Sequence, residues 1–302
     1  MLGRKIKKLK NWLQNRHNLQ LFRLRLAEDR QKTALYRAVL ISHELSATGA
    51  PLMLLAAAEA IMADGGSVRV LAYMDGPLRE KFEKLGIPVF YHPGFRDNAR
   101  LLNEFGGDCA YAVANTAVAY PAVSLLKGPR VLWWIHEAQV IEKDYIARFR
   151  QKKFRPDLEQ TLRQAGKLAV VSDYAREIAA KYNPRVEVIH PAVADVAKEQ
   201  GLQPKQPAEK IRFAMLGAVC EIKGQDVLLK AVRLLPAAYR AQAEFHIAGR
   251  RDGAFAEDLA AESGDLPEVV WEESRSRDNL WDFYRENDVI MVASRDESFS
   301  LV

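Results

Sequence analysis

Ala38-Val39-Leu40-Ile41-Ser42-His43 is a short apolar run ending in polar residues, and Glu44-Leu45-Ser46-Ala47-Thr48-Gly49-Ala50 leads from it into the apolar stretch Pro51–Ala63. Val68-Arg69-Val70-Leu71-Ala72-Tyr73 follows, β-branched and apolar. These pieces read as strand, turn, helix, strand. Pro51 falls in the first turn of the helix, where its missing N–H costs nothing. Glu59 interrupts the apolar stretch well short of the roughly 18 residues a membrane-spanning helix needs, so it reads as a buried helix.

The same alternation continues outward. Leu78–Leu85 is a short helix ended by Gly86. Val89–Tyr91, Ala110–Ala114, Val131–Ile135, Leu168–Val171 and Val186–Ile189 are further strands, with helical patterns between them. Strands that are apolar throughout and separated by helices imply a parallel, doubly wound sheet. After His190-Pro191 the pattern lapses. Asp195–Lys210 is polar, contains Pro204 and Pro207, and reads as a linker. A second cycle begins at Ile211–Leu216. It continues through helix Asp226–Leu235, strand Glu244–Ala248, helix Phe255–Glu262, strand Val269–Trp271, helix Asn279–Glu286 and strand Val289–Val292.

The expected organisation is α/β: a basic arm at 1–32, a Rossmann-like domain at 33–192, a linker at 193–210 and a second Rossmann-like domain at 211–302. Such domains usually have five or six strands. With four, the second reads as incomplete, a truncation or a natural fragment.

The 302 residues suffice for two domains, and 49% apolar with 27% charged residues is ordinary globular composition. Both cysteines, Cys109 and Cys220, lie in strand-like apolar runs and read as buried thiols, which suits a reducing compartment. The basic N-terminus lacks the uninterrupted apolar region of a secretory signal. Of the net charge of +5, residues 1–32 carry +8, leaving −3 for the body. A basic nucleic-acid-binding body is therefore not expected. Met1–Leu26 reads as an amphipathic helix, with Ile6, Leu9 and Leu13 on one face, Trp12 beside them and lysines opposite. Such an arm either packs on its own protein or lies on an anionic membrane surface.

In open α/β sheets ligands bind beyond the carboxyl ends of the strands. After the first strand, Gly49 and Ala50 precede a helix N-terminus. Small residues there let a phosphate reach free N–H groups, although a tight turn would also call for a glycine. His43 ends that strand, and His136 ends Val131-Leu132-Trp133-Trp134-Ile135. Either is a hydrogen-bonding candidate. In the second half, Lys223 stands before Gly224 and a helix start, as a phosphate-binding point charge would. A carboxylate after the last strand, as in Ser294-Arg295-Asp296-Glu297-Ser298-Phe299, suits sugar hydroxyls or backbone N–H groups better than phosphate.

In these residues the chain resembles retaining glycosyltransferases of the GT-B fold, family-4 type. The resemblance rests on Lys223-Gly224-Gln225-Asp226, the strand and glycine at Phe245–Gly249, Tyr284 with Asp288–Val292, and Ser294–Val302, which resembles the opening of the family's E-x7-E motif. Thr48-Gly49-Ala50 and Ile135-His136-Glu137 add to it. It implies a C-terminal domain holding a nucleotide-diphosphate sugar and an N-terminal domain holding the acceptor, with a cleft between them. By resemblance the catalytic residues are His136, Lys223 and Glu297. The donor-binding set is Gly49, Ala50, Gly217, Lys223, Arg250, Glu297, Ser298 and Phe299. Lys223 would sit on the diphosphate, Glu297 near the donor sugar, the Gly49 backbone at the phosphate edge and His136 at the reacting sugar. No cofactor or metal is expected, and the chain has no D-x-D metal clamp.

Three departures stand out. Ala218 and Val219 occupy the place where the family commonly has an Arg, leaving Arg250 or Arg251 as a substitute cation. His190-Pro191-Ala192 replaces an Asn-Gly. The second Glu of E-x7-E would fall beyond Val302.

The resemblance thus implies retaining sugar transfer to a glycan or lipid-linked acceptor in cell-surface polysaccharide synthesis. The place would be the cytoplasm, or the inner membrane face through residues 1–26. The other readings are an inactive truncated fragment and a GT-B nucleotide-sugar epimerase.

Overall fold

The computed structural model describes residues 2–138, 141, 157–192, 209–275 and 280–300, with backbone alone for 2–14 and 16. The expected linker therefore lies, but for Glu209 and Lys210, outside the described residues, as do Leu301 and Val302. The chain divides into two compact units, Met1–Ala192 and Val193–Val302.

In the first unit, α1 (Leu2–Gln31) precedes β1 (Arg37–Ser42), α2 (Gly49–Ala63), β2 (Ser67–Ala72), α3 (Leu78–Lys84), β3 (Val89–Tyr91), α4 (Ala99–Gly106) and β4 (Tyr111–Asn115). Then come α5 (Tyr120–Leu125), β5 (Arg130–Ile135), α6 (Leu158–Gln164), β6 (Lys167–Val170), α7 (Asp173–Ala179) and β7 (Glu187–Val188). The strands form one sheet in the order β3-β2-β1-β4-β5-β6-β7. Every pairing is parallel, with Ala38 opposite Val68 and Tyr111. The order reverses between β1 and β4, which makes their carboxyl ends the natural ligand edge.

The apolar strands are buried on both faces because helices cover both. Leu40, Val68 and Val70 pack with Leu54, Leu55 and Ala58 of α2 and Phe82 of α3. Val39, Ile41 and Leu71 point the other way, onto Leu101, Leu102 and Phe105 of α4. Trp133 and Ile135 centre a further cluster with Leu158, Leu162 and Ile178.

Helix α1 runs five residues past the expected Leu26, and its C-terminal part belongs to this core. Phe22 and Leu26 are buried in the α4-side cluster, Phe22 edge-on to Phe90 at 5.6 Å. Asp29, 4% exposed, pairs with the fully buried Arg69 at 2.9 Å, and Asp108 holds the same guanidinium at 2.8 Å. Arg23 and Arg30 bind Glu104 and Asp108. For this part of the arm, packing on its own protein is what the structure shows.

The second unit contains β8 (Ile211–Leu216), α8 (Gln225–Leu234), α9 (Ala237–Arg240), β9 (Ala243–Ala248), α10 (Ala254–Glu262), β10 (Val269–Glu272), α11 (Leu280–Glu286) and β11 (Val289–Ile290). Its parallel sheet has the order β10-β9-β8-β11, the same winding as β3-β2-β1-β4. One face buries Met215, Phe245 and Ile247 against Leu228, Leu229 and Val232 of α8. The other buries Ala214 and Ala248 under Phe283 of α11. The switch point here lies between β8 and β11.

Both cysteines are free, but only Cys109 is buried, in the turn before β4, where burial pushes its thiol up to about 11. Cys220 is half-buried in the loop after β8. The expectation of two buried strand thiols is corrected there: β8 ends at Leu216, and the positive φ of Gly217 turns the chain out of the sheet.

Candidate active-site residues

On the carboxyl edge of the first sheet, the turn after β1 is held by its own polar side chains. Ser42 Oγ donates to the Glu44 carbonyl at 2.6 Å, and Ser46 Oγ to Glu44 Oε1 at 2.7 Å. Helix α2 starts at Gly49, and Thr48 supplies no side-chain cap, so its first N–H groups have no side chain accepting from them there. Gly49 is helical and absent from the positive-φ residues, so the turn does not need a glycine for its backbone conformation. Asn115 Nδ2, from the end of β4, donates to the Ala50 carbonyl at 2.9 Å and ties α2 to the switch point.

Thr116 follows with φ 73° and ψ 162°, a region almost confined to glycine. Its surroundings hold it there. Its amide donates to the Trp134 carbonyl at 2.8 Å, its carbonyl accepts from Trp133 Nε1 at 2.8 Å, and its hydroxyl lies 3.3 Å from His43 Nδ1. Burial lowers the His43 pKa against the opposing pull of Glu44.

His136, after β5, lies against Trp134 with ring centroids 4.6 Å apart. Burial pushes its pKa down to about 4, so the ring is neutral at neutral pH. Its Nε2 is buried without a hydrogen-bond partner among the described residues. Glu137 accepts from the Ala117 amide at 3.0 Å, and burial raises its pKa despite the backbone amides facing it.

In the second unit the mouth of the β8/β11 switch point gathers the charged motif residues. Lys223 Nζ lies 2.7 Å from Glu297 Oε2, which also accepts from Ser294 Oγ at 3.3 Å. Gly224 caps α8 at φ 76°, and a Cβ there would meet the Ala293 carbonyl at 2.2 Å, so the two loops touch backbone to backbone. Gln225 is fully buried, donates to the Ala218 carbonyl at 3.1 Å and accepts from the Cys220 amide at 3.3 Å. Asp226 receives a two-pronged bond from Arg295 at 2.8 and 2.6 Å, which holds its carboxyl down at about 2. Asp296 behaves oppositely. Burial and the neighbouring Glu297 raise its pKa, with Lys223 opposing, and its Oδ1 has no partner among the described residues.

Of the residues expected from sequence, Lys223 and Glu297 meet directly and Gly217 lies at the end of β8. Gly217 has φ 141° and open space where a Cβ would be, so a ligand could approach its backbone. Gly49, Ala50 and His136 lie on the carboxyl edge of the first unit. Ser298 and Phe299 follow Glu297, with Phe299 36% exposed. Arg250 is largely exposed and paired with Asp252 at 2.8 Å, and Arg251 lies over the Trp271 ring, so each side chain has a local partner of its own. Asn115, Thr116, Glu137 and Arg295 had no role from sequence. Arg295 and Glu137 left a signal, their places inside the Ser294–Val302 and Ile135-His136-Glu137 motifs; Asn115 and Thr116 left none. Among the described residues no three His, Cys, Asp or Glu side chains are grouped to hold a metal ion.

Two Rossmann-like units of this kind are the components of a GT-B fold. Residues 36–193 match the family model for glycosyl-transferase family 4, and residues 197–302 that for glycosyl transferases group 1. The chain belongs to glycosyltransferase family 4. A curated relative, D-inositol 3-phosphate glycosyltransferase of Mycolicibacterium gilvum (strain PYR-GCK), is 30% identical over 161 residues, 48% of this chain and 35% of the relative. The match thus spans about a third of that relative's length. Anabaena HepE, solved with UDP and glucose, superposes with a TM-score of 0.61 at 15% identity, over 88% of this chain and 76% of HepE. A glycosyltransferase from Rickettsia africae ESF-5 gives 0.61 at 13%, over 86% and 73%. WaaG, a glycosyltransferase involved in lipopolysaccharide biosynthesis, gives 0.55 at 15%, over 86% and 76%. At these identities the structural likeness speaks for the fold.

Proposed function

We propose that this chain moves a sugar, with retention, from a nucleotide-diphosphate sugar to a glycan or lipid-linked acceptor in cell-surface polysaccharide synthesis. The observation that carries the reading is the meeting of Lys223 and Glu297 at the β8/β11 switch point, 2.7 Å apart, beside the start of α8. A leaving diphosphate gathers negative charge, and a fixed ammonium beside a helix N-terminus stabilises it. A carboxylate next to it accepts hydrogen bonds from sugar hydroxyls. Family membership and the UDP and glucose bound by HepE support a nucleotide-sugar donor. The role stated for WaaG supports a cell-surface product.

In this reading Lys223 holds the diphosphate and Glu297, Ser298 and Phe299 the donor sugar, with Gly217 giving the ligand access to backbone. Gly49 and Ala50 offer amides to phosphate, and neutral His136 hydrogen-bonds the reacting sugar. Arg250 joins the donor set only by leaving Asp252. No metal takes part. The protein works in the cytoplasm, and the part of residues 1–26 that does not pack on the first unit holds it to anionic lipid; among the described residues no helix is long and apolar enough to cross a membrane.

The test is NMR of the glycoside formed when the chain is incubated with UDP-glucose, GDP-mannose and related donors in the presence of a panel of glycan and lipid-linked acceptors. A product with the donor's anomeric configuration supports retention, and the opposite anomer contradicts it. Failure to release any nucleoside diphosphate contradicts the transferase reading.

A further inference from the structure

The loops after β8 and β11 are joined by more than the pair that faces a ligand. Arg295 spends its whole fork on residues 221–226. Its Nη1 and Nη2 take the two oxygens of Asp226 at 2.8 and 2.6 Å, and Nη1 also donates to the Glu221 carbonyl. Its backbone amide donates to the Ile222 carbonyl at 2.8 Å. Gly224 sits against Ala293 with no room for a side chain. Lys223 is therefore flanked on both sides by residues fastened to the loop that carries Glu297.

This matters because, among the described residues, the Lys223 ammonium is otherwise placed only through Glu297. A lysine ammonium is a point charge on a flexible four-carbon stem, and fixing it carries a large entropic penalty. A diphosphate competing for the ammonium would loosen the Lys223–Glu297 contact, one of the ties between the two loops. The Arg295–Asp226 fork would remain, because its partners satisfy each other and neither has to turn to the ligand. The carboxylate also lies in the first turn of α8, where the helix dipole favours it.

We infer that Asp226 and Arg295 are positioning residues that hold the Lys223 loop against the Glu297 loop, so that the ammonium stays aimed at the ligand when its contact with Glu297 opens. The inference rests on reading Lys223 as the diphosphate cation.

The experiment is a calorimetric double-mutant cycle on the full chain, using whichever of UDP, GDP, ADP and dTDP binds most tightly. Arg295→Lys keeps the charge but cannot make the fork. It is expected to weaken binding at least fivefold, and Asp226→Asn to do the same. In a Lys223→Ala background each should change affinity less than twofold, because nothing remains to be aimed. Arg295→Lys is conservative enough to carry the test if Asp226→Asn lowers the melting temperature. An equal loss with and without Lys223 would make the fork merely structural, and no loss from either substitution in the chain that keeps Lys223 would mean it positions nothing. Either overturns the inference while Lys223→Ala alone still weakens binding. If Lys223→Ala has no effect, or no nucleotide binds, the parent reading itself fails.

Discussion

His136 shows at the scale of one residue how burial sets chemistry. Its pKa is pushed down to about 4, well below the usual 6.5, so it is a neutral hydrogen-bonder and not a cation at working pH. The direction has a stability consequence. A base whose folded pKa is depressed must be charged against the fold, so stability is lost as pH falls from about 6.5 toward 4. The slope is at most about 1.4 kcal/mol per pH unit for one proton. Urea midpoints of the chain and of His136→Gln, compared between pH 7 and pH 4.5, should converge as pH falls. A parallel fall in both would show that His136 does not carry the effect. The sequence could place His136 at a strand end but not its protonation, which depends on how deeply the fold buries the ring. Thr116 was illegible for a different reason: a β-branched residue at positive φ runs against local preference and is held there by Trp133, Trp134 and His43, residues distant in sequence.

At the scale of elements, the alternation of apolar runs and punctuating residues was legible because parallel strands are buried on both faces. Val89–Tyr91 and Ile211–Leu216 fall where the apolar runs predict them, and Gly86, at φ 74°, follows α3 as a helix-ending glycine should. Edges were less legible. Strand β11 stops at Ile290, two residues before the apolar run ends, because it pairs with β8 only through Val289 and Ile290. Loop-to-loop contacts left no local trace. The clearest is Gly224, where both the φ of 76° and the Ala293 carbonyl exclude a side chain. Gly224→Ala should destabilise the second unit by about 1–3 kcal/mol, from backbone strain alone. It should also weaken nucleotide binding by moving Lys223. A melting temperature unchanged by this substitution would contradict the close approach of the two loops.

Across the whole molecule, net charge separated a basic N-terminal segment from the body, but it did not reveal that the segment's last turns belong to the core. Charge counting treats Arg23 and Arg30 as solvated; the structure spends them on Glu104 and Asp108. Removing residues 2–31 would leave Arg69 with only one of its two carboxylates and uncover the pocket of Phe22 and Leu26. Breaking a buried ion pair costs about 3–5 kcal/mol, so this deletion should cripple the first unit. Removing residues 2–14 should leave its melting temperature within a few degrees. If that shorter deletion also keeps full binding to vesicles containing anionic lipid, in 0.15 M salt, residues 2–14 are not the membrane contact. The two units also share a winding, β3-β2-β1-β4 and β10-β9-β8-β11, which puts the first strand of each beside a switch point. That repetition was readable as two cycles of strand and helix, whereas the pairing of Lys223 with Glu297, 74 residues apart, became visible only with the fold.

The central claim is that Lys223 holds the diphosphate of a nucleotide sugar. Its most direct test is calorimetric titration of the chain and of Lys223→Ala with UDP, GDP, ADP and dTDP. The account predicts saturable binding of at least one of them, weakened tenfold or more by the substitution, about 1.4 kcal/mol. Equal affinity in the two proteins would contradict it.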